Sequence, residues 1–311
     1  MSEWLDQLQK EIAALRSSIR IEKILKGFST DEKYRVYLSS GENRLLRIFK
    51  LDQWEQKKAE YDIIKTIQTL GVKASSPIEL GMIPARDVGY MVLSYLEGED
   101  ARDVLPELSA EEQRQIGYIA GCDLASMHQL PAPTSVSSWY ERCIQKHRNY
   151  VRAYQESPLE ITHADKINAF IEDHLTYLKN RPNRFLHDDF HVGNLIVHER
   201  QYAGVIDFNR YDWGDPIHEF TKLAFFSREI SVPFCNGQIT GYFHNEEPPD
   251  SFWILYSVYT AMTIFSSVVW TARVVPSLLD DMNQRVNKVI EEHQAFERTS
   301  PVWFSRTEAH T

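Results

Sequence analysis

Between Phe185 and Phe220 the chain reads FLHDDFHVGNLIVHERQYAGVIDFNRYDWGDPIHEF, and this stretch limits what can be built around it more than any other. Leu195 to Val197 and Ala203 to Phe208 are apolar, β-branched-rich runs. The charged residues from Glu199 to Gln201 separate them, which is the pattern of a hairpin. In an antiparallel pair, opposed positions sum to a constant, so a turn centred between Arg200 and Gln201 sets Asn194 opposite Asp207. An amide oxygen and a carboxylate then meet at the open end of the hairpin. Further on, Asp215 is a good N-cap and Pro216 a good first residue for a helix running to Phe226, with Ile217, Phe220, Leu223 and Ala224 at helical spacing.

Asn194 and Asp207 suit Mg²⁺, a hard cation that keeps waters and takes its remaining ligands from phosphates. Asp189 precedes Asn194 in the turn entering the first strand, where a carboxylate can face a substrate hydroxyl beside that metal. Phosphoryl transfer needs this layout, because it asks the protein for positioning and charge neutralisation and little covalent work. The HDDFH run also admits a metallohydrolase reading with His187, Asp189 and His191 as ligands, but no further His or Cys group stands at a matching spacing. Asp207 and Asp215 lie only eight residues apart. That leaves no room for the long segment with which a protein kinase docks a peptide, so the acceptor is expected to be a small molecule.

In its spacing, His187-Asp188-Asp189-Phe190-His191-Val192-Gly193-Asn194, then Ile206-Asp207-Phe208, then Gly214-Asp215-Pro216, the segment resembles the aminoglycoside phosphotransferase family, whose signature is H-G-D-x-x-x-x-N, a metal-binding Asp and G-D-P. Asp188 stands where the family has Gly, which adds a charge expected to raise the Asp189 pKa slightly. The resemblance covers about residues 21 to 293. It implies an α+β, bilobal protein-kinase-like fold, with a small β-rich N-terminal lobe over residues 1–98 and a large, mainly helical C-terminal lobe over residues 99–311. It further implies ATP or GTP as donor, Mg²⁺ as metal, and a hydroxyl of a small molecule as acceptor. Asp189 is then the catalytic carboxylate, with Asn194 and Asp207 as metal ligands. Aminoglycosides, macrolides, choline, homoserine and sugars are all acceptors in such kinases, and fold alone does not choose among them.

The earlier part of the chain reads as strands near Ile21–Leu25, Tyr34–Leu38 and Leu45–Phe49, a helix from Asp52 to Leu70, and strands near Ile78–Gly81 and Tyr90–Leu93. By resemblance, the first connection, KGFSTDEK, covers the nucleotide phosphates, with Ser29 and Thr30 contributing hydroxyl and backbone N–H contacts. An ordinary hairpin turn explains it equally well. In LLRIFK the family places Lys between apolar residues. Arg47 holds that place here, while Lys50 points to the opposite strand face. Glu60 is the carboxylate expected to hold Arg47, and Glu55 competes for the role. Ser94 and Leu96 occupy the hinge positions whose backbone groups receive the nucleobase. The remaining helices are read at Ala110–His128, Ser138–Gln155, Ala164–Leu178, Asp250–Ala272 and Pro276–Phe296, with His128 a structural residue at a helix end.

Composition adds three constraints. Residues 1–98 carry 14 Asp/Glu and 15 Lys/Arg, whereas residues 99–311 carry 30 and 19. The acidic second part repels nucleic acid and favours a cationic acceptor, although a solvated surface accounts for the same charge. Asp212, Glu246, Glu247, Asp250, Asp280 and Asp281 are candidate lining residues for that acceptor. Three cysteines without a C-x-x-C argue against a disulfide framework and for a cytoplasmic protein. The 21 uncharged residues from Phe252 to Ala272 are long enough to span a bilayer, yet six are Ser or Thr, and a buried central helix is the expectation, with no membrane partner. The N-terminal residues place Leu5, Leu8, Ile12 and Leu15 on one helical face, as an amphipathic helix does.

Overall fold

The computed structural model describes residues 3–26 and 30–304. The chain divides into two compact units: Met1–Glu99 with Ile196–Glu199 and Ala203–Asn209, and the remainder.

In the first unit, β1 (Ser18–Ile24), β2 (Glu32–Leu38), β3 (Asn43–Lys50), β4 (Pro77–Ile83) and β5 (Val88–Ser94) form one antiparallel sheet in the order β1-β2-β3-β5-β4. Side chains alternate across it, so Leu46 and Ile48 join Tyr34, Val36 and Val92 on one face. That face is covered by Leu8 from helix α1 (Glu3–Glu11), together with Ile12 and Leu15 just beyond it. The odd positions of β3 take the other side, where Arg47 is buried; Lys50, at an even position three residues on, is exposed. Helix α2 (Trp54–Thr69) packs against β4 and β5, burying Lys57, Glu60, Tyr61, Ile64 and Ile67 at helical spacing. It stops before Gly71, whose φ of 77° suits glycine.

The short strand β6 (Glu99–Asp100) leads into α3 (Ala101–Val104), where the second unit begins. Helix α4 (Ala110–Met127) opens with a capping box between Ser109 and Glu112. It is followed by α5 (Trp139–Gln155) and α6 (Ala164–His174); the last turn expected to Leu178 is a 3₁₀ segment. Strand β7 (Arg184–Leu186) precedes the turn that carries Asp189, and β8 (Leu195–His198) and β9 (Gln201–Val205) form the hairpin. Strand β10 (Asp212–Gly214) pairs antiparallel with β7, opposing Gly214 to Arg184 and Asp212 to Leu186, so the two ends of the segment from Arg184 to Gly214 are tied together. Then come α7 (Val232–Tyr242), α8 (Asp250–Val274) and α9 (Leu279–Glu292).

Helix α8 is apolar and long enough to cross a membrane, but 78% of its most apolar window is buried within the protein. It packs on α5, α6 and α9 and is the core helix of its unit. Its Tyr259 hydroxyl donates to Asp215 (2.8 Å) and accepts from the Trp139 indole (2.8 Å). Asp215 is fully buried, pairs with Arg181 at 2.6 Å, and caps the next turn through the Ile217 N–H.

Two expectations need refinement, and one helix was not foreseen. The helix expected from Asp215 to Phe226 forms with irregular pitch, a 3₁₀ turn, Pro216–Phe220, leading into a π turn, Leu223–Ser227. Helix α7 carries no one-sided apolar pattern and was not anticipated. The hairpin turns at Glu199-Arg200, both with positive φ (47° and 63°) as a primed two-residue turn requires, so His198 faces Gln201. The opposed sum therefore falls by two, and Asn194 and Asp207 are not a cross-strand pair. Asn194 closes a 3₁₀ turn before β8, and Asp207 lies two residues beyond β9.

Candidate active site

In the second unit, the turn from His187 to Asn194 is built around its backbone. Asp188 has φ 58°, the left-handed region where the family has Gly and where Asp is among the better-tolerated residues. The substitution is thus local backbone chemistry, and the Asp188 side chain faces His218 Nδ1 at 3.6 Å. The buried Glu219 carboxylate accepts the N–H of Asp188 (2.9 Å) and of Phe190 (3.0 Å), the residues on either side of Asp189. His187 is fully buried, with its ring edge-on to Phe190.

The Asp189 carboxylate meets three donors. Its Oδ1 lies 3.4 Å from Lys222 Nζ and 3.5 Å from His191 Nε2. Its Oδ2 accepts from Asn194 Nδ2 at 3.1 Å. His191 Nδ1 accepts the Gly193 N–H at 3.0 Å, which leaves its proton on Nε2, toward Asp189. Burial pushes the Asp189 carboxyl up, but the His191 hydrogen bond and the Lys222 charge outweigh it and hold the group well below the usual carboxylate range. Any slight rise from Asp188 is outweighed, since the net shift is downward.

Asn194 also donates to the Asp189 carbonyl at 2.9 Å, so its amide nitrogen is committed and the oxygen Oδ1 remains as a donor to a cation. Asp207, in the first unit, has φ 71°, and among the described residues its carboxylate makes no hydrogen bond or ion pair. Both are hard oxygen donors and fit Mg²⁺. Among the described residues, no group of three His, Cys, Asp or Glu converges as a metal site, which removes the geometric basis for the metallohydrolase reading.

In the first unit, Arg47 pairs with Glu60 at 2.5 Å, while Glu55 is exposed. Arg47 also pairs with Asp31 (2.6 Å), and Lys57 reaches the same Asp31 oxygen (2.6 Å). Sequence reasoning missed both Asp31 and Lys57; the one signal was that Lys57 lies a helical turn before Glu60. The Ser94 N–H is taken by the Ser76 carbonyl (2.8 Å) and its hydroxyl accepts from the Ser76 N–H (2.7 Å). Leu96 lies past the end of β5 and makes no backbone hydrogen bond among the described residues. Thr30 is exposed in a bend, and Ser29 lies outside the described residues. Lys222 and Glu219 were also missed, since both reach the Asp189 turn from about 30 residues away.

Several solved structures share this architecture. Aminoglycoside 2'-phosphotransferase-IIIa in its GDP complex superposes with a TM-score of 0.68 at 13% identity, covering 92% of this chain and 97% of that one. The ADP-bound aminoglycoside phosphotransferase APH(2'')-Ib gives 0.62 at 16% identity, covering 92% and 96%. The ternary complex of APH(2'')-IIa with streptomycin and ATP gives 0.64 at 14% identity, covering 92% and 95%. No curated protein sequence matches the chain. The fold is thus protein-kinase-like, of the kind found in small-molecule phosphotransferases. Residues 20–253 match the phosphotransferase enzyme family, APH, and the chain belongs to that family: it is a small-molecule kinase that acts on an alcohol group.

Proposed function

We propose that this enzyme transfers the γ-phosphoryl group of ATP or GTP, with Mg²⁺, to a hydroxyl of a cationic small molecule, an aminoglycoside in the first instance. The observation that carries the chemistry is the convergence of Lys222, His191 and Asn194 on the Asp189 carboxylate. An ionised Asp189 accepts the hydrogen bond of the acceptor hydroxyl and aims its oxygen at phosphorus. Because its pKa is depressed, it is a weak base, and it takes the proton late, as the new O–P bond forms and the bond to the β-phosphate breaks. Asn194 and Asp207 supply oxygen ligands to Mg²⁺, which when bound neutralises charge on the nucleotide phosphates. Arg47, held by Glu60, contributes positive charge toward the phosphates, and the Ser94 carbonyl and Leu96 N–H receive the base.

The acidity of residues 99–311 supports a cationic acceptor, as do the streptomycin and gentamicin complexes of the structural relative APH(2'')-IIa. A neutral acceptor is the second reading, favoured by Asp212, one of the candidate lining acids, being paired with Arg142 at 3.1 Å. The test is acceptor-dependent nucleotide turnover across aminoglycosides, a macrolide, choline, homoserine and a neutral sugar, each at low and physiological salt. A cationic acceptor drawn in by exposed carboxylates loses apparent affinity as salt rises, because such charges are screened beyond about 8–10 Å. Selective, salt-insensitive turnover of a neutral acceptor rejects the cationic reading and leaves the kinase assignment in place.

A further inference from the structure

Four charged side chains are buried together in the first unit: Asp31, Arg47, Lys57 and Glu60 are 8%, 4%, 5% and 1% exposed. Asp31 Oδ2 accepts from Arg47 Nε (3.0 Å), Arg47 Nη2 (2.6 Å) and Lys57 Nζ (2.6 Å). Glu60 takes Arg47 Nη1 (2.5 Å) and Nη2 (3.4 Å), and its Oε2 lies 3.6 Å from Lys57 Nζ. A guanidinium has five N–H groups. Four of those on Arg47 are therefore already directed at carboxylates.

Glu60 alone would neutralise Arg47. The additional Asp31–Lys57 pair leaves the net charge at zero and brings two cations onto a single carboxylate oxygen. Two buried cations around one anionic oxygen form the donor set of a phosphate-binding site. Asp31 stands at the entrance to β2, next to the exposed Thr30, at the end of the connection that follows β1. On the kinase reading above, that connection covers the nucleotide phosphates, and the inference rests on that reading.

We propose that Lys57 is a second phosphate-binding cation beside Arg47, and that the Asp31 carboxylate is a built-in competitor that occupies both until nucleotide phosphates replace it. Free of nucleotide, the two cations have a partner and avoid the large penalty of an uncompensated buried charge. When a nucleotide binds, its phosphate oxygens take the three hydrogen bonds that Asp31 gives up. The displaced carboxylate turns away from the two cations toward the exposed Thr30 side. An ionised Asp31 left in place would oppose the incoming phosphate in a site of low dielectric.

Calorimetric binding of tripolyphosphate, ATP and GTP to the full chain, without acceptor, tests this. Asp31→Asn is expected to tighten tripolyphosphate and nucleotide binding by about tenfold, and Lys57→Met to weaken it by about tenfold, the scale of one charge-assisted hydrogen bond. Unchanged or weaker binding by a folded Asp31→Asn protein overturns the competitor role, and unchanged binding by Lys57→Met overturns the second cation. Because Asp31→Asn leaves the cluster with a net positive charge, the neutral double variant Asp31→Asn/Lys57→Met is measured alongside it. It is expected to bind more tightly than Lys57→Met alone, and equal or weaker binding overturns the proposal. If the unmodified protein binds neither ATP nor GTP, the kinase mechanism itself fails; if it binds them and Asp31→Asn brings no tightening, only this inference fails.

Discussion

Glu219 Oε1 accepts the backbone N–H of Phe190 at 3.0 Å, and its other oxygen accepts that of Asp188, so one buried carboxylate braces the backbone on both sides of Asp189. Burial and the Asp188 charge push the Glu219 carboxyl up to about 7, against the two N–H bonds and the Lys222 charge. A group raised in the folded state holds its proton there at pH values where the unfolded chain has lost it. Stability is therefore expected to fall as pH rises from about 4.5 to about 7.

Glu219→Gln removes that dependence but turns an amide N–H₂ toward a backbone N–H. It should cost about 1–3 kcal/mol for the unsatisfied donor. Turnover should fall by as much as about 10²-fold, because Asp189 loses its bracing. Chemical denaturation across pH, with turnover measured on the folded variant, checks both effects. A denaturation midpoint with the same pH slope in both proteins would refute the assignment.

Lys222 and Asp189 give a second prediction. Loss of the ammonium in Lys222→Met removes a charge that holds the Asp189 carboxyl low, so the acid limb of the kcat/KM profile should move to higher pH. Turnover should drop by roughly 10- to 100-fold. An acid limb that stays in place would show that Lys222 acts elsewhere.

Asp207→Asn should abolish Mg²⁺-dependent turnover without unfolding the protein, since Asn tolerates the left-handed backbone found at φ 71°. Asp189→Ala should lower turnover by about 10²- to 10⁴-fold with little change in nucleotide affinity, as its proposed partner is the acceptor hydroxyl. Near-normal turnover in folded Asp207→Asn would contradict the metal role.

Legibility in the sequence follows from how local each feature is. The meeting of Asp189 with Asn194 and the Asp215 cap read out directly, because each depends on short spacing along the chain. The sides taken by Arg47 and Lys50 also read out, from strand alternation alone. The hairpin register did not, since a one-residue error in locating the turn shifts every opposed pair by two. Asp31, Glu219 and Lys222 reach their partners through tertiary folding, and nothing in their neighbourhood announces it. Helix α7 escaped because Phe234, Cys235, Asn236, Gly237, Gln238 and Ile239 are all buried, leaving no polar face to mark the helical period.

The signal for that helix was glycine spacing. Gly117 and Gly121 on α4 and Gly237 and Gly241 on α7 each stand four residues apart, on the facing sides of two tightly packed helices. A Cβ at Gly117 or Gly121 would collide with the backbone of Phe234 or Gln238, and one at Gly237 or Gly241 with that of Arg114 or Tyr118. Backbone cannot yield as a flexible side chain does, so the helices must move apart and forfeit contacts along their length. Alanine is nevertheless the better helix former by about 0.5–1 kcal/mol. If propensity decided the outcome, Gly237→Ala would stabilise the protein. Close packing should win instead, with a loss of about 1–3 kcal/mol or more from overpacking. A lower urea midpoint for Gly237→Ala and for Gly121→Ala, and a loss smaller than the sum in the double variant once the helices have separated, is the expected pattern. An unchanged or higher midpoint in both single variants would show that the two helices do not approach this closely.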